Sequence, residues 1–419
     1  MKKRLLATLL SSTLVMTSLA GCSSKSENGD MVTELTKPIT IEMWHYMNGG
    51  QAEVLNEIIE DFNATNDKGI TVNAISQGSI VDLNKKVISA AQSNSLPAII
   101  NVYPDVATGL IEDKKLVNLS SFINDKNVGM ADEMDDFVDA FIQETSQWNN
   151  GEVYGLPMTK STEVLYVNKN MLESLGYTLE DLEDLTFEKL AEISNKAVTE
   201  LGVAGFGFDS SSNAFISSLK MDGLDFVDSK GNINVDNEWV REYMTFFQKQ
   251  AESGAFRIAG EDKFLSNPFV NQKMLCYQGS SAGYAYLNND GAFEIAVVEV
   301  PVFEGKDKAV MQQGASLFVT NNVSAEAQYA AYEFVKFATN AENTAKFATA
   351  TGYLPVRKSA VETEIVKNIL NDETSLYSQV YNVAQKSLPY AYYTPAINNA
   401  QSARTVAQEK YEAFMSGSI

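Results

Sequence analysis

Histidine, cysteine and positive charge are the scarce materials of this chain, and each shortage excludes a kind of chemistry. His45 is the only histidine, which removes every two-histidine metal motif and leaves one imidazole base. Ser-His-Asp catalysis would depend on that residue alone. Cys22 and Cys276 are the only thiols, too few for a disulfide framework in any redox compartment. Lys+Arg number 32 against Asp+Glu 54, a formal net charge of -22, and such a surface repels nucleic-acid phosphates and anionic lipid headgroups. Nucleic acid is therefore not an expected partner. The chain also has no Pro-rich linker and no internal repeat, as an adhesin or scaffold more often would. What it does have is length and apolar content: 419 residues, 45% hydrophobic, are enough for two domains with proper cores.

The first segment reads as an address. Lys2, Lys3 and Arg4 form a basic start, Leu5 to Met16 a short, mostly apolar run, and Leu19-Ala20-Gly21-Cys22 an ending of small residues before a cysteine. This ending resembles the bacterial lipoprotein cleavage site, which implies that residues 1–21 are a removed signal peptide. Cys22 would then be the acylated first residue, holding the protein outside the cytoplasm on the cell membrane. Losing three positive charges makes the mature chain more acidic still. Residues 22–37, polar and small, are expected to be a flexible linker. Cys276, inside an apolar run, reads as a buried core thiol.

In the body, Ile39 to Trp44 is strand-like, and Val54, Leu55, Ile58, Ile59 and Phe62 then recur at helical spacing. Ile70 opens a second strand, Leu83 to Ala91 a second helix, and Ala98 to Val102 an apolar third strand. Alternation of this kind predicts a parallel α/β sheet. Helices are also predicted over 181–201, 240–253, 324–339 and 340–351, the last closed by Gly352, with a strand over 295–300. Two lobes are expected from the length, joined by several short crossings, with a small ligand in the cleft between them.

Residues 40–47, the helix ending Asp61-Phe62-Asn63, and Leu96-Pro97-Ala98-Ile99-Ile100 resemble the opening of the ABC-importer solute-binding proteins of family 1. Tyr154 to Lys169 resembles that family's first crossover, and Gln313 to Val319 and Gly352 to Ser359 the next two. The resemblance covers essentially the whole mature body. It implies a two-lobed, periplasmic-binding-protein-like α/β fold with three hinge crossovers and an interlobe ligand cleft. Lobe 1 would hold 38–157 and 315–353, and lobe 2 would hold 158–314 and 354–419. It further implies a monomer that binds a small solute by closing, needs no cofactor or metal, and delivers its cargo to the membrane permease subunits. Trp44-His45 with Met47, Ser161-Thr162, and Ala403-Arg404-Thr405-Val406-Ala407 are most similar to the branch that binds glycerol-3-phosphate and related phosphodiesters. Carried over residue by residue, Ser161, one of Ser280 and Ser281, Gly314, Tyr353 and Arg404 fall on ligand-contacting positions, with Trp44, His45 and Asp105 beside them. The branch's aromatic positions appear here as Phe187 and Ile80, and its acidic hydroxyl acceptor falls at Pro104, next to Asp105. A phosphorylated polyol, a phosphodiester and a plain sugar or oligosaccharide all remain open as ligands.

Arg404 carries most of the anion-binding expectation, because a guanidinium matches phosphate or carboxylate oxygens and the mature chain has only three other arginines, Arg241, Arg257 and Arg357. Trp44, Tyr103, Tyr154, Tyr284, Tyr286 and Tyr353 offer flat rings for a sugar face, although aromatics are more often core. Asp132 to Asp136 reads as a solvated charge run, and 228–238 as a hairpin turn around Lys230-Gly231-Asn232 rather than a cation loop. No acid stands in a recognisable catalytic motif, so a secreted glycosidase or phosphodiesterase is the lesser alternative to a binding protein. If Cys22 is the anchor, a Cys22→Ala variant is released from the membrane fraction into the soluble one; retention of the variant in membranes defeats the anchoring.

Overall fold

The computed structural model describes residues 31–228, 231–372, 374–395, 397 and 400–418. The signal peptide, Cys22, most of the expected linker and Lys230 lie outside the described residues. The strands are β1 (Ile39–His45), β2 (Ile70–Ser76), β3 (Ile99–Val102), β4 (Gly155–Ser161), β5 (Glu163–Asn168), β6 (Phe206–Phe208), β7 (Phe256–Ile258), β8 (Cys276–Ser280), β9 (Ile295–Val298), β10 (Val310–Met311), β11 (Gln313–Val319) and β12 (Ala391–Tyr392). They form two five-stranded sheets, in order β2-β1-β3-β11-β4 and β7-β6-β8-β5-β9, and a small β10-β12 pair.

Local sequence explains most of the elements. In β1 buried Met43 and His45 alternate with half-buried Trp44, whereas all four residues of β3 are buried, as a central strand requires. Helix Ile80–Gln92 starts on a reciprocal cap between Ser79 and Asp82, and helices Ala325–Ala338 and Ala341–Thr351 start on Ser324 and Asn340. The second of these ends at Gly352 in the left-handed region, as expected. Residues 227 and 233 pair across a turn through Gly231.

Three expectations are corrected. The sheets are mixed rather than parallel: β11 runs antiparallel to β3 and β4, and β5 antiparallel to β8 and β9. These are the strands next to the crossings, so they enter each sheet from the opposite direction to the βαβ units. The expected helix over 181–201 begins at Phe187, because Thr186 caps it by accepting from Lys189 N–H, and a separate 3-10 turn occupies Leu179–Leu182. The lobe boundaries also move. Met158–Ser161 stay in the first sheet, paired with β11. After Gly352 the chain remains on the first lobe, where buried Arg357 donates to the carbonyls of Glu133 and Thr339, both at 2.8 Å, and stacks 3.8 Å over Phe137. The chain reaches the second sheet only with helix Leu376–Ser387, which packs on β9 and β5.

Gly314 (φ +113) fixes how β11 meets β4: a Cβ there would sit 1.7 Å from the Thr159 carbonyl oxygen. Gly314→Ala is expected to lower stability by at least about 2–3 kcal/mol in urea unfolding. Gly305→Ala, at φ +74 with open space around it, costs only the local backbone strain of about 1 kcal/mol.

Candidate functional site

A cavity of about 180 Å³ lies where the two lobes face each other, lined by Tyr103, Pro104, Asp105, Glu144 and Gly314 from the first and by Ser210, Asn213, Tyr393, Thr394 and Arg404 from the second. β3 delivers Tyr103 and Asp105 to the start of helix Pro104–Glu112, where Asp105 Oδ1 accepts from Val106 N–H at 2.8 Å. Burial raises the Asp105 carboxyl, an effect that the Arg404 charge opposes. Glu144 comes from helix Asp139–Thr145, and its Oε2 accepts from Lys160 Nζ and from Gln312 Nε2, both at 2.6 Å.

On the opposite wall, Arg404 projects from the C-terminal helix Ala400–Met415. It donates to Asn213 Oδ1 at 2.5 Å and to Thr394 Oγ1 at 3.2 Å. Asn213 sits in the first turn of helix Ser211–Met221, and its amide nitrogen donates to Glu163 Oε1 at 3.0 Å. Glu163 Oε2 accepts from Gln278 Nε2 at the same distance. The guanidinium is thus braced by a buried polar chain reaching back to the first residue of β5. Burial pushes the Glu163 carboxyl up to about 7 against the two amide donors, and pushes neighbouring Asp209 up to about 7 as well.

The structure brings Asp105, Gly314 and Arg404 together at this cavity. Ser161, Ser280 and Ser281 meet at the first crossing: Ser280 Oγ donates to Ser161 Oγ at 3.1 Å, and Ser281 N–H donates to the Thr162 carbonyl at 2.7 Å. Tyr353 is buried with its hydroxyl 3.3 Å from that of Tyr46, which also lies 3.1 Å from Thr159 Oγ1. Tyr103 shares the field of this pair and of Arg404, and burial raises all three phenols.

Other expected site residues lie elsewhere. His45 points to the face of β1 opposite Trp44, on the same side as buried Met43, and its Nδ1 accepts from Met47 N–H at 3.2 Å. Trp44 is half-buried with Ile80 against the core around Leu83 and Val87, its indole N–H on Glu42. Phe187 is not at the cleft: it is buried in the second lobe between Phe247, at 5.4 Å, and Phe303, at 4.6 Å. Tyr154 packs edge-on to Trp148 in the first lobe, and Tyr286 is 64% exposed. Cys276 is buried, with its S–H on the Gly205 carbonyl and its thiol raised by burial.

Lys160, Glu144, Glu163 and Asn213 were missed. Lys160 and Glu163 stand inside the crossover stretch 154–169 but look there like ordinary strand residues. Only a lysine in the middle of an apolar strand could have hinted at a buried partner.

A model of the bacterial extracellular solute-binding protein family matches residues 57–372. The chain belongs to this family. The sn-glycerol-3-phosphate-binding periplasmic protein of Rhizobium meliloti is 23% identical over 393 residues, covering 90% of this chain and 89% of that protein. UgpB from Mycobacterium tuberculosis, solved in complex with glycerophosphocholine, has a TM-score of 0.76 at 20% identity over 90% of this chain and 93% of that one. An ABC substrate-binding protein from Listeria monocytogenes in complex with cycloalternan gives 0.77 at 16% identity, over 91% of this chain and 95% of that one. The last two share the two-lobed fold.

Burial drives the His45 imidazole down to about 4. Between pH 6.5 and 4 the unfolded chain therefore binds a proton that the folded chain refuses, so this contribution to stability is complete above pH 6.5 and is lost as pH falls. The stability difference between the native chain and His45→Gln is expected to shrink by about 2–3 kcal/mol over that interval in chemical denaturation; a pH-independent difference would show the imidazole to be solvated.

Proposed function

We propose that this chain captures a small polyol bearing a single phosphodiester charge between its lobes and hands it, unaltered, to the permease subunits of an ABC importer. The carrying observation is Arg404 facing Asp105 across one cavity, each from a different lobe. The guanidinium supplies donors to phosphodiester oxygens, and the Asp105 carboxylate accepts from hydroxyls. Closure of the lobes would bury the solute and present a distinct shape to the permease.

Charge selects the diester over the monoester. A phosphomonoester carries about -1.5 to -2 at neutral pH, whereas the cavity opposes one guanidinium to Asp105 and Glu144, the latter already paired with Lys160. A neutral sugar is the second reading, favoured by those two carboxylates and by Tyr103 in the lining. The kinship with the sn-glycerol-3-phosphate-binding protein of Rhizobium meliloti supports a phosphorylated polyol over a sugar, and the preference for the diester rests on the cavity's charge alone. Anchoring through acylated Cys22, a monomeric state and the absence of turnover complete the proposal.

Calorimetry with glycerophosphocholine, sn-glycerol-3-phosphate and maltose separates the readings. The diester is expected to bind most tightly and to be recovered unchanged. Arg404→Ala is expected to weaken it by more than about 2 kcal/mol, the scale of a charge-assisted contact. Tight maltose binding that Arg404→Ala leaves intact would instead select the sugar.

A further inference from the structure

Behind the cavity wall, the Arg404 guanidinium is linked to a carboxyl group that lies outside the cavity lining. Gln278 and Asn213 each donate an amide N–H to Glu163, at 3.0 Å, and the carbonyl of the same Asn213 accepts from Arg404 at 2.5 Å. Asn213 is 3% exposed, Gln278 4% and Glu163 2%, so water cannot rearrange the chain freely. The ionised carboxylate is an acceptor on both oxygens, which orients the Asn213 amide with its nitrogen inward and its oxygen on the guanidinium.

We propose that Glu163 is a positioning and charge-selecting residue: through Asn213 it sets the Arg404 guanidinium, and it takes up a proton when an anion arrives there. The proposal rests on the reading of Arg404 as the anion contact. A phosphodiester at Arg404 places negative charge one hydrogen-bonded amide away from a carboxylate in a dry region. The two negative charges repel through a poorly screened path, and adding a proton to Glu163 removes the repulsion. By linkage, an anion that raises the proton affinity of Glu163 must itself bind more tightly as pH falls. A neutral sugar has no such coupling.

The surroundings place this exchange in an accessible pH range. The groups facing Glu163 are Asp209 at the end of β6, which favours the protonated form, Arg404, which opposes it, and the Tyr243 phenol of helix Glu238–Glu252. Burial holds the carboxyl at about 7, where both forms are populated before ligand arrives. Asp209 titrates in the same range, but its Oδ1 is tied to Leu265 N–H. In the protonated acid one oxygen becomes a donor, and the carbonyl oxygen of Gln278, which has no hydrogen-bond partner among the described residues, can receive it if that amide turns over.

The test is calorimetric titration of the full chain with glycerophosphocholine from pH 5.5 to 8.5, in two buffers of different protonation enthalpy, with maltose as the uncharged probe. The native chain is expected to take up a fraction of a proton near pH 7 and to lose about ten-fold in affinity toward the alkaline end. Glu163→Gln, an uncharged isostere, is expected to flatten the profile and keep the low-pH affinity throughout. Diester binding with a flat profile and no proton uptake in the native chain overturns the proposal while leaving the ligand class intact. No diester binding at any pH overturns the ligand class, and this proposal with it. If Glu163→Gln fails to fold, the absence of proton uptake by the native chain still overturns the proposal, and uptake that persists in Asp209→Asn supports it.

Discussion

A lysine ammonium with no exposure to water has to be neutralised where it stands, and Lys160 is such a lysine. Its Nζ donates to Glu144 at 2.6 Å and to the Gly314 carbonyl at 3.2 Å, while its own carbonyl accepts from Leu354 N–H at 2.7 Å. One residue therefore ties together the end of β4, the start of β11 and the stretch after Gly352, the three places where the chain passes between lobes or beside the passage. Glu144 is held on its other flank by Gln312, just before β11. The same carboxylate lines the interlobe cavity. Hinge and cavity floor are thus one electrostatic unit, and removing Glu144 would strand the Lys160 charge without solvent.

The cavity above this floor is polar and sparing with positive charge. Among the described residues Arg404 is the one cation at its lining, faced by Asp105 and backed by Asn213. A formal net charge of -22 gives no long-range attraction for an anion. Capture of the proposed phosphodiester would then depend on local donors set in place beforehand, not on steering. Preorganisation of this kind needs a rigid back wall, which the buried amides of Asn213 and Gln278 and the helix packing around Phe215 and Tyr411 provide.

Much of the architecture could be read from residue order. Helices with strong caps, such as the pair meeting at Asn340, were placed to within a residue or two, because a side-chain acceptor and a terminal glycine mark their ends locally. The crossovers announced themselves through Ser161-Thr162 and Gln313-Gly314. Sheet direction did not, since antiparallel insertion of β5 and β11 follows from where the chain comes from and not from any local pattern. The place of Phe187 away from the cavity was hidden for a similar reason. It opens a helix whose buried face, Leu190, Ala191, Ile193 and Ser194, turns it toward Phe206, Phe247 and Phe303. The braces of Arg404 were invisible because Glu163, Asn213 and Gln278 are polar residues of no marked spacing, brought together only across 115 residues of chain.

The two sheets share a plan that bears on motion. In each, three parallel strands adjoin one antiparallel strand, and beyond it lies an edge strand: β3, β11, β4 in the first and β8, β5, β9 in the second. The crossing strands β5 and β11 are therefore clamped by ladders on both sides and are not edges. Strands held this way cannot slide, so a change in lobe angle has to be absorbed in the short connections around Thr162 and Gln312 and in the passage before helix Leu376–Ser387. Gly314 sharpens that limit: with its α-carbon pressed against the Thr159 carbonyl, β11 is locked to β4 from its second residue onward. At these two crossings the flexible length is thereby reduced to very few bonds, and those bonds lie next to Lys160, whose buried charge keeps its contacts only while the strands around it stay in register.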